Sequence, residues 1–179
     1  MIVIEKSFTC NHDIPYVFQK LFEDNKGIFD NHMKLIKWDR HEWKMKNKIK
    51  QRKEEIYTYI PIIPDEVVKY TLENDKYIHV EVKNKVIIDT PDYQKIKTKF
   101  KILNVNPFLR TILNDLHIIN TKNITQIQKI DEHTTSIKVI ITVRLKIPRT
   151  KAIENFVASL SDSLTQSAIN ALQNTVNDE

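Results

Sequence analysis

The last 30 residues constrain the fold more than any other part of the chain. Ile153, Phe156, Val157, Leu160, Leu164, Ala168, Ala171 and Leu172 recur at i, i+3, i+4 spacing, which predicts an amphipathic helix from about residue 151 to Val176. Pro148 stops whatever precedes it. Thr150 is placed to cap the helix, and Glu154 lies in the first turns, where a carboxylate suits the helix dipole. No other segment of the chain offers so long an apolar stripe. Small residues flank the stripe: Ala158, Ser159, Ser161, Ser163 and Ser167. They either leave room for a bound molecule or let the helix sit close to its neighbour.

What comes before the helix is mostly strand. Residues 93–103 alternate strictly, with Ile96, Thr98, Phe100 and Ile102 on one side and Lys95, Lys97, Lys99 and Lys101 on the other. Residues 136–147 repeat the pattern, with Ile137, Val139, Ile141, Val143, Leu145 and Ile147 opposed to Lys138, Thr142, Arg144 and Lys146. A period of two with one apolar side predicts a sheet that is packed on one face and wet on the other. Further strands are expected at 1–9, 35–43, 50–60 and 117–130. Residues 77–82 and 85–88 also read as strand, either separate or joined through a bulge. Asn11-His12-Asp13 caps a helix with Pro15 in its first turn, and a short second helix is expected near 28–33. Pro61 and Pro64 break the chain, after which Asp65 can cap a helical turn. Asn104–Asp115 reads as a connection. Consecutive strands without helical crossovers favour an antiparallel meander. The expected architecture is therefore a single α+β domain over residues 1–179, with a curved sheet of six to seven strands wrapped around the final helix.

Composition excludes several functions. The chain has one glycine, Gly27, so no glycine-rich phosphate loop and no nucleophile elbow can be built. Its turns must rest on Asn, Asp and Pro. Cys10 is the only cysteine, so there is no internal disulfide and no zinc cluster with sulfur ligands. It is expected to pack as a small apolar side chain, since as a nucleophile it would have only His12 nearby. None of the six histidines is spaced for a helical zinc site, and no metal or cofactor is expected. Hydrophobic residues make up 41% and charged residues 28%, a globular balance. The N-terminus acquires charge at Glu5 and Lys6, too soon for a signal peptide. No apolar run approaches the roughly 20 residues that span a bilayer. A cytoplasmic location is expected on those grounds.

The order of elements resembles the helix-grip fold of the START-like superfamily, which includes lipid-transfer domains, the major pollen-allergen fold and polyketide cyclase-like proteins. The resemblance covers nearly the whole chain. It rests on Ile2-Val3-Ile4-Glu5-Lys6-Ser7-Phe8 leading into Asp13-Ile14-Pro15-Tyr16-Val17-Phe18, on Tyr59-Ile60-Pro61 followed by Pro64-Asp65-Glu66-Val67-Val68, and on the Pro148 break. It implies a cavity between sheet and final helix that holds an apolar small molecule or a lipid. Trp38, Tyr57, Tyr59, Phe100, Phe108, Ile141, Val143, Phe156, Leu160 and Leu164 are the residues expected to bind that ligand.

Three functions remain open on this basis. The first is non-catalytic binding or transfer of a hydrophobic ligand. The second is a cyclase-type or hydrolase-type enzyme in the same cavity, which requires an ionisable side chain facing it; the sequence nominates no catalytic residue. The third is an interaction module. The net charge is +5, and Lys44, Lys46, Lys48, Lys50 and Arg52 fall at alternate positions, as if on one strand face turned toward an anionic membrane surface. Nucleic acid ranks below a membrane, because neither this run nor the Lys95–Lys101 stripe carries the aromatic side chains that stack on bases.

Overall fold

A computed structural model describes residues 2–24, 34–59, 77–104, 106, 120–143 and 150–173. The expected helix near 28–33, the turn capped by Asp65 and most of the connection from Asn104 to Asp115 lie outside them. Eight strands are seen among the described residues: β1 (Ile2–Cys10), β2 (Lys34–Arg40), β3 (Lys44–Lys46), β4 (Ile49–Tyr59), β5 (Ile78–Asp89), β6 (Tyr93–Ile102), β7 (Asn120–Lys129) and β8 (Thr135–Val143). They form one antiparallel sheet in the order β1-β8-β7-β6-β5-β4-β2, with β3 also paired to β4. Helix α1 (Ile14–Phe18) runs on into a π-helical turn, Gln19–Glu23, and α2 (Lys151–Gln173) closes the described chain.

Local chemistry accounts for the boundaries. Asp13 caps α1, its Oδ1 accepting from the Tyr16 N–H at 2.9 Å. The Glu154 N–H donates to the Thr150 carbonyl at 3.1 Å and closes the first turn of α2. The segments expected at 77–82 and 85–88 are one strand, β5, whose register against β6 shifts between Val86 and Ile88. The long β4–β8 meander follows the alternation in the sequence, and β1 completes it by pairing with β8 from Ile2↔Val143 to Cys10↔Thr135.

Two expectations need correction. The strand over 35–43 ends at Arg40. Trp43 falls in the break before β3, and β2 and β3 run along different halves of β4. The run Lys44–Arg52 is also not one strand face. It doubles back through a two-residue turn at Asn47 and Lys48, whose φ values are 51° and 62°. That hairpin adds the eighth strand and places Lys44 and Lys46 on one arm and Lys50 and Arg52 on the other.

Register across the sheet defines two faces. On the inner face stand Ile56, Val82, Val86, Ile96, Ile127, Ile137 and Ile141, all buried. The core gathers where α1 and the end of α2 meet this face: Ile14 and Val17 from α1, Val86, Ile96, Ile127 and Ile137 from the sheet, and Leu172 from α2. Lys6 of β1 adds an ion pair to Asp162 of α2. The helix therefore lies against the apolar face of the sheet, as its stripe requires.

Lys48 in the left-handed region carries a Cβ penalty of about 1 kcal/mol, and Asn-Gly is the pair such a turn prefers. Lys48→Gly is expected to stabilise the fold by about 1 kcal/mol, read as a higher midpoint in urea denaturation.

Candidate functional site

The inner face is not uniformly apolar. One transverse row, read through the paired registers of β4 to β7, consists of Arg52, Asn84, Thr98 and Asn123, and Ile141 and Ile4 continue it on β8 and β1. Arg52, Asn84 and Thr98 are buried. Buried polar groups are costly unless they are hydrogen-bonded. The Thr98 hydroxyl donates to Asn84 Oδ1 at 2.7 Å. Asn123 Oδ1, also shielded from solvent, has no hydrogen-bond partner among the described residues. The next row toward the core carries Thr125 beside Ile96 and Val86, and the row on the other side carries Phe100 and Val82. A short polar band thus crosses the largely apolar inner face under α2, where Ser161 and Ser167 are buried.

At the β4 end the band becomes a charged brace. Arg52 is 3% exposed and pairs with Glu54 Oε1 at 2.7 Å and Glu23 Oε2 at 2.8 Å. It also donates to the Phe22 carbonyl. Arg40 meets the same Glu54 oxygen at 2.9 Å and donates to the Glu23 carbonyl. The Trp43 indole N–H donates to Glu23 Oε1 at 2.7 Å, and the Arg52 guanidinium lies 4.3 Å from the centre of the Trp43 ring. Two cations and two carboxylates cancel each other and fasten the π-helical turn to β2 and β4. Burial pushes the Glu23 carboxyl up, but hydrogen bonds from Trp43 and Arg52 and the charges of Arg52 and Arg40 outweigh it, and the net direction is down.

The residues expected at the site divide accordingly. Trp38, Phe100 and Ile141 stand on the inner face; Trp38 is opposite Ile56 and has the Arg40 guanidinium 4.2 Å over its ring. Val143 occupies the same row as Phe100, paired with Thr121 and Ile2. Tyr57 is on the opposite face, where it stacks on His79 with ring centres 4.1 Å apart and has Lys37 over its ring. Phe108 lies outside the described residues, as do the side chains of Tyr59, Phe156, Leu160 and Leu164. Of the five cations expected on an anionic surface, Lys44, Lys46 and Lys48 are exposed on the hairpin. Lys50 lies over the rings of Phe18 and Trp43, and Arg52 is buried in the brace. Arg52 had the strand parity of Ile56 and Thr58, which was a signal that it points inward. Asn84, Asn123 and the Glu23–Arg40–Glu54 cluster were missed, because strand parity alone does not tell which polar residues share a row.

Cys10 is half-buried against the core, and burial pushes its thiol up against an opposing hydrogen bond with the His12 backbone. That is the opposite of nucleophile activation. A shallow recess of about 220 Å³ is lined by Asn11, His12, Asp13, Tyr16, Glu132 and His133. Its groups are engaged locally, Asp13 as the α1 cap and His12 stacked on Tyr16. Among the described residues no cluster of histidine, cysteine or acidic side chains is placed to hold a metal ion, and no helix is long and apolar enough to cross a membrane.

No family model matches the chain, and no curated protein matches it in sequence. Solved structures do match it over nearly its full length. An aromatase/cyclase from a Streptomyces species superposes with a TM-score of 0.61 at 8% identity, covering 99% of this chain and 96% of that one. A START superfamily protein from Mycobacterium smegmatis gives 0.53 at 8% identity, with 96% and 97% covered. This chain has the START-like helix-grip fold. Truncated norcoclaurine synthase from Thalictrum flavum has the same helix-grip arrangement, with a TM-score of 0.54 at 10% identity over 99% and 94% of the two chains. At such identities the likeness is one of fold.

Arg52→Met would leave Glu54, itself 6% exposed, buried and half-compensated. The expected loss is about 3–5 kcal/mol in denaturant unfolding. Because the folded pKa of Glu23 is depressed, its contribution is present above the unfolded carboxylate value, about 4.3, and is lost as pH falls through the folded one. The stability gap between wild type and Glu23→Gln is expected to be full at neutral pH and to close in acid, as followed by urea titrations across that range.

Proposed function

We propose that the chain binds a largely apolar small molecule or lipid between the inner sheet face and α2, without transforming it. The observation that carries this reading is Asn123 Oδ1 in the polar band, shielded from water, without a hydrogen-bond partner among the described residues, and flanked by rows that bring Ile96, Val86, Phe100 and Val82 to the same face. Such an acceptor fits a ligand that buries hydrocarbon and presents one hydroxyl or N–H donor, with the apolar area supplying about 25 cal/mol per Å² and the polar contact fixing orientation. Small residues at Ser161 and Ser167 of α2 suit a helix that shares the space with a ligand.

Binding is preferred to catalysis because of the brace. The acids and bases at the β4 end of this face, Glu23, Glu54, Arg40 and Arg52, neutralise one another. A proton-transfer role would have to break those pairs.

Native mass spectrometry of the protein as purified tests the proposal. A bound apolar compound is expected, and a bare chain that also takes up no fatty alcohol when offered one argues against it. Asn123→Leu is expected to weaken retention of a hydroxylated ligand about tenfold, the equivalent of one hydrogen bond, while leaving a ligand without the hydroxyl unaffected.

A further inference from the structure

The outer face of the sheet carries a second pattern. Lys53, Lys83, Lys99 and Lys122 stand directly opposite one another on β4, β5, β6 and β7, and Lys85 and Lys97 form the next row. Neighbouring strands are about 4.8 Å apart, and like charges at paired positions are destabilising. Glu81 relieves part of the first row, bridging Lys53 and Lys83 at 3.1 Å each. Lys85, Lys97, Lys99 and Lys122 make no ion pair among the described residues. Burial and then repulsion from Lys122, Lys99 and Lys85 hold the Lys97 ammonium below the usual lysine range. The fold thus keeps a cluster of cations that no carboxylate among the described residues neutralises, and an external anion would relieve their repulsion.

Aliphatic side chains accompany these cations. At the irregularity in β5, Ile87 and Ile88 are 42% and 38% exposed, and Ile88 is paired with Lys95. A bulge re-aims side chains in this way. No aromatic ring lies within the two lysine rows, so bases would find nothing there to stack on. Lysines set around exposed isoleucines match a bilayer surface, where ammonium groups meet headgroup phosphates and short aliphatic side chains enter the acyl boundary. We propose that the outer face of β5, β6 and β7 docks on an anionic membrane, with Lys85, Lys97, Lys99 and Lys122 as the electrostatic contact and Ile87 and Ile88 as the apolar one. The surface is separate from the ligand site, since the two lie on opposite faces of one sheet.

Vesicle co-sedimentation of the full chain tests this. Phosphatidylcholine vesicles with about 30% phosphatidylserine are expected to bind it, pure phosphatidylcholine vesicles are not, and raising the salt from about 0.1 M to 0.5 M is expected to release it. The triple change Lys97→Gln, Lys99→Gln, Lys122→Gln is expected to weaken partitioning about a hundredfold, at about fivefold or 1 kcal/mol per lysine. The double change Ile87→Ser, Ile88→Ser is expected to weaken it several-fold at constant charge. The lysine variant relieves repulsion, so its unfolding midpoint is expected to match or exceed that of wild type, which separates lost binding from lost folding. Equal binding to both vesicle types, or no response to the lysine changes, overturns the proposal. So does tighter binding of single-stranded DNA that is unaffected by the isoleucine changes, which reassigns the face to nucleic acid.

Discussion

Register is the constraint from which the rest of this molecule follows. All eight described strands are paired without a parallel step, so every row of side chains is set by its neighbours' hydrogen bonds. A slip of one residue in β6 would exchange Ile96 and Thr98 for Lys97 and Lys99 beneath α2. The burial of Ile96, Ile127 and Ile137 against Val17 and Leu172 makes that slip costly. The same pairing that aligns the aliphatic rows aligns the lysines on the other side. The repulsion among them is thus a by-product of a register chosen by the core.

The charged brace at the edge of the inner face plays a different part. Arg52 lies on a strand whose alternate residues are buried, at a position whose inward parity is otherwise that of Ile56 and Thr58. Its pairing with Glu54 and Glu23 specifies where the π-helical turn sits, and the break between β2 and β3 lets Trp43 reach the same carboxylate. Replacing a whole buried ion-pair network by apolar groups is often neutral for stability, whereas removing one partner is costly. Here the arrangement holds α1 over the core.

Much of the architecture could be read from the residues because the strongest signals were periodic. The alternation in 93–103 and 136–143 became β6 and β8, and the amphipathic segment from 151 became α2, with 144–147 and 174–176 outside the described residues. The Asp13 cap was legible for a local reason, and so was the strand character of β5, although its irregularity lies between Val86 and Ile88 and not in the gap at 83–84. The hairpin at Asn47-Lys48 was not, since without a glycine the turn looks like any basic stretch, and a parity count carried through it put Arg52 on the wrong side. The polar band was hidden for a deeper reason. Asn84, Thr98 and Asn123 lie far apart in the chain and become one row only through inter-strand pairing, which no window of sequence contains.

Pairing of β1 with β8 has a kinetic side. Ile2 finds its partner in Val143, near the far end of the sheet-forming sequence. A contact of such separation closes a long loop, and folds that depend on contacts like it assemble slowly. During synthesis the first strand must wait, its backbone donors and acceptors open, until nearly the whole meander has left the ribosome. The charged residues Glu5 and Lys6 within it are then useful as guards against pairing with the wrong neighbour.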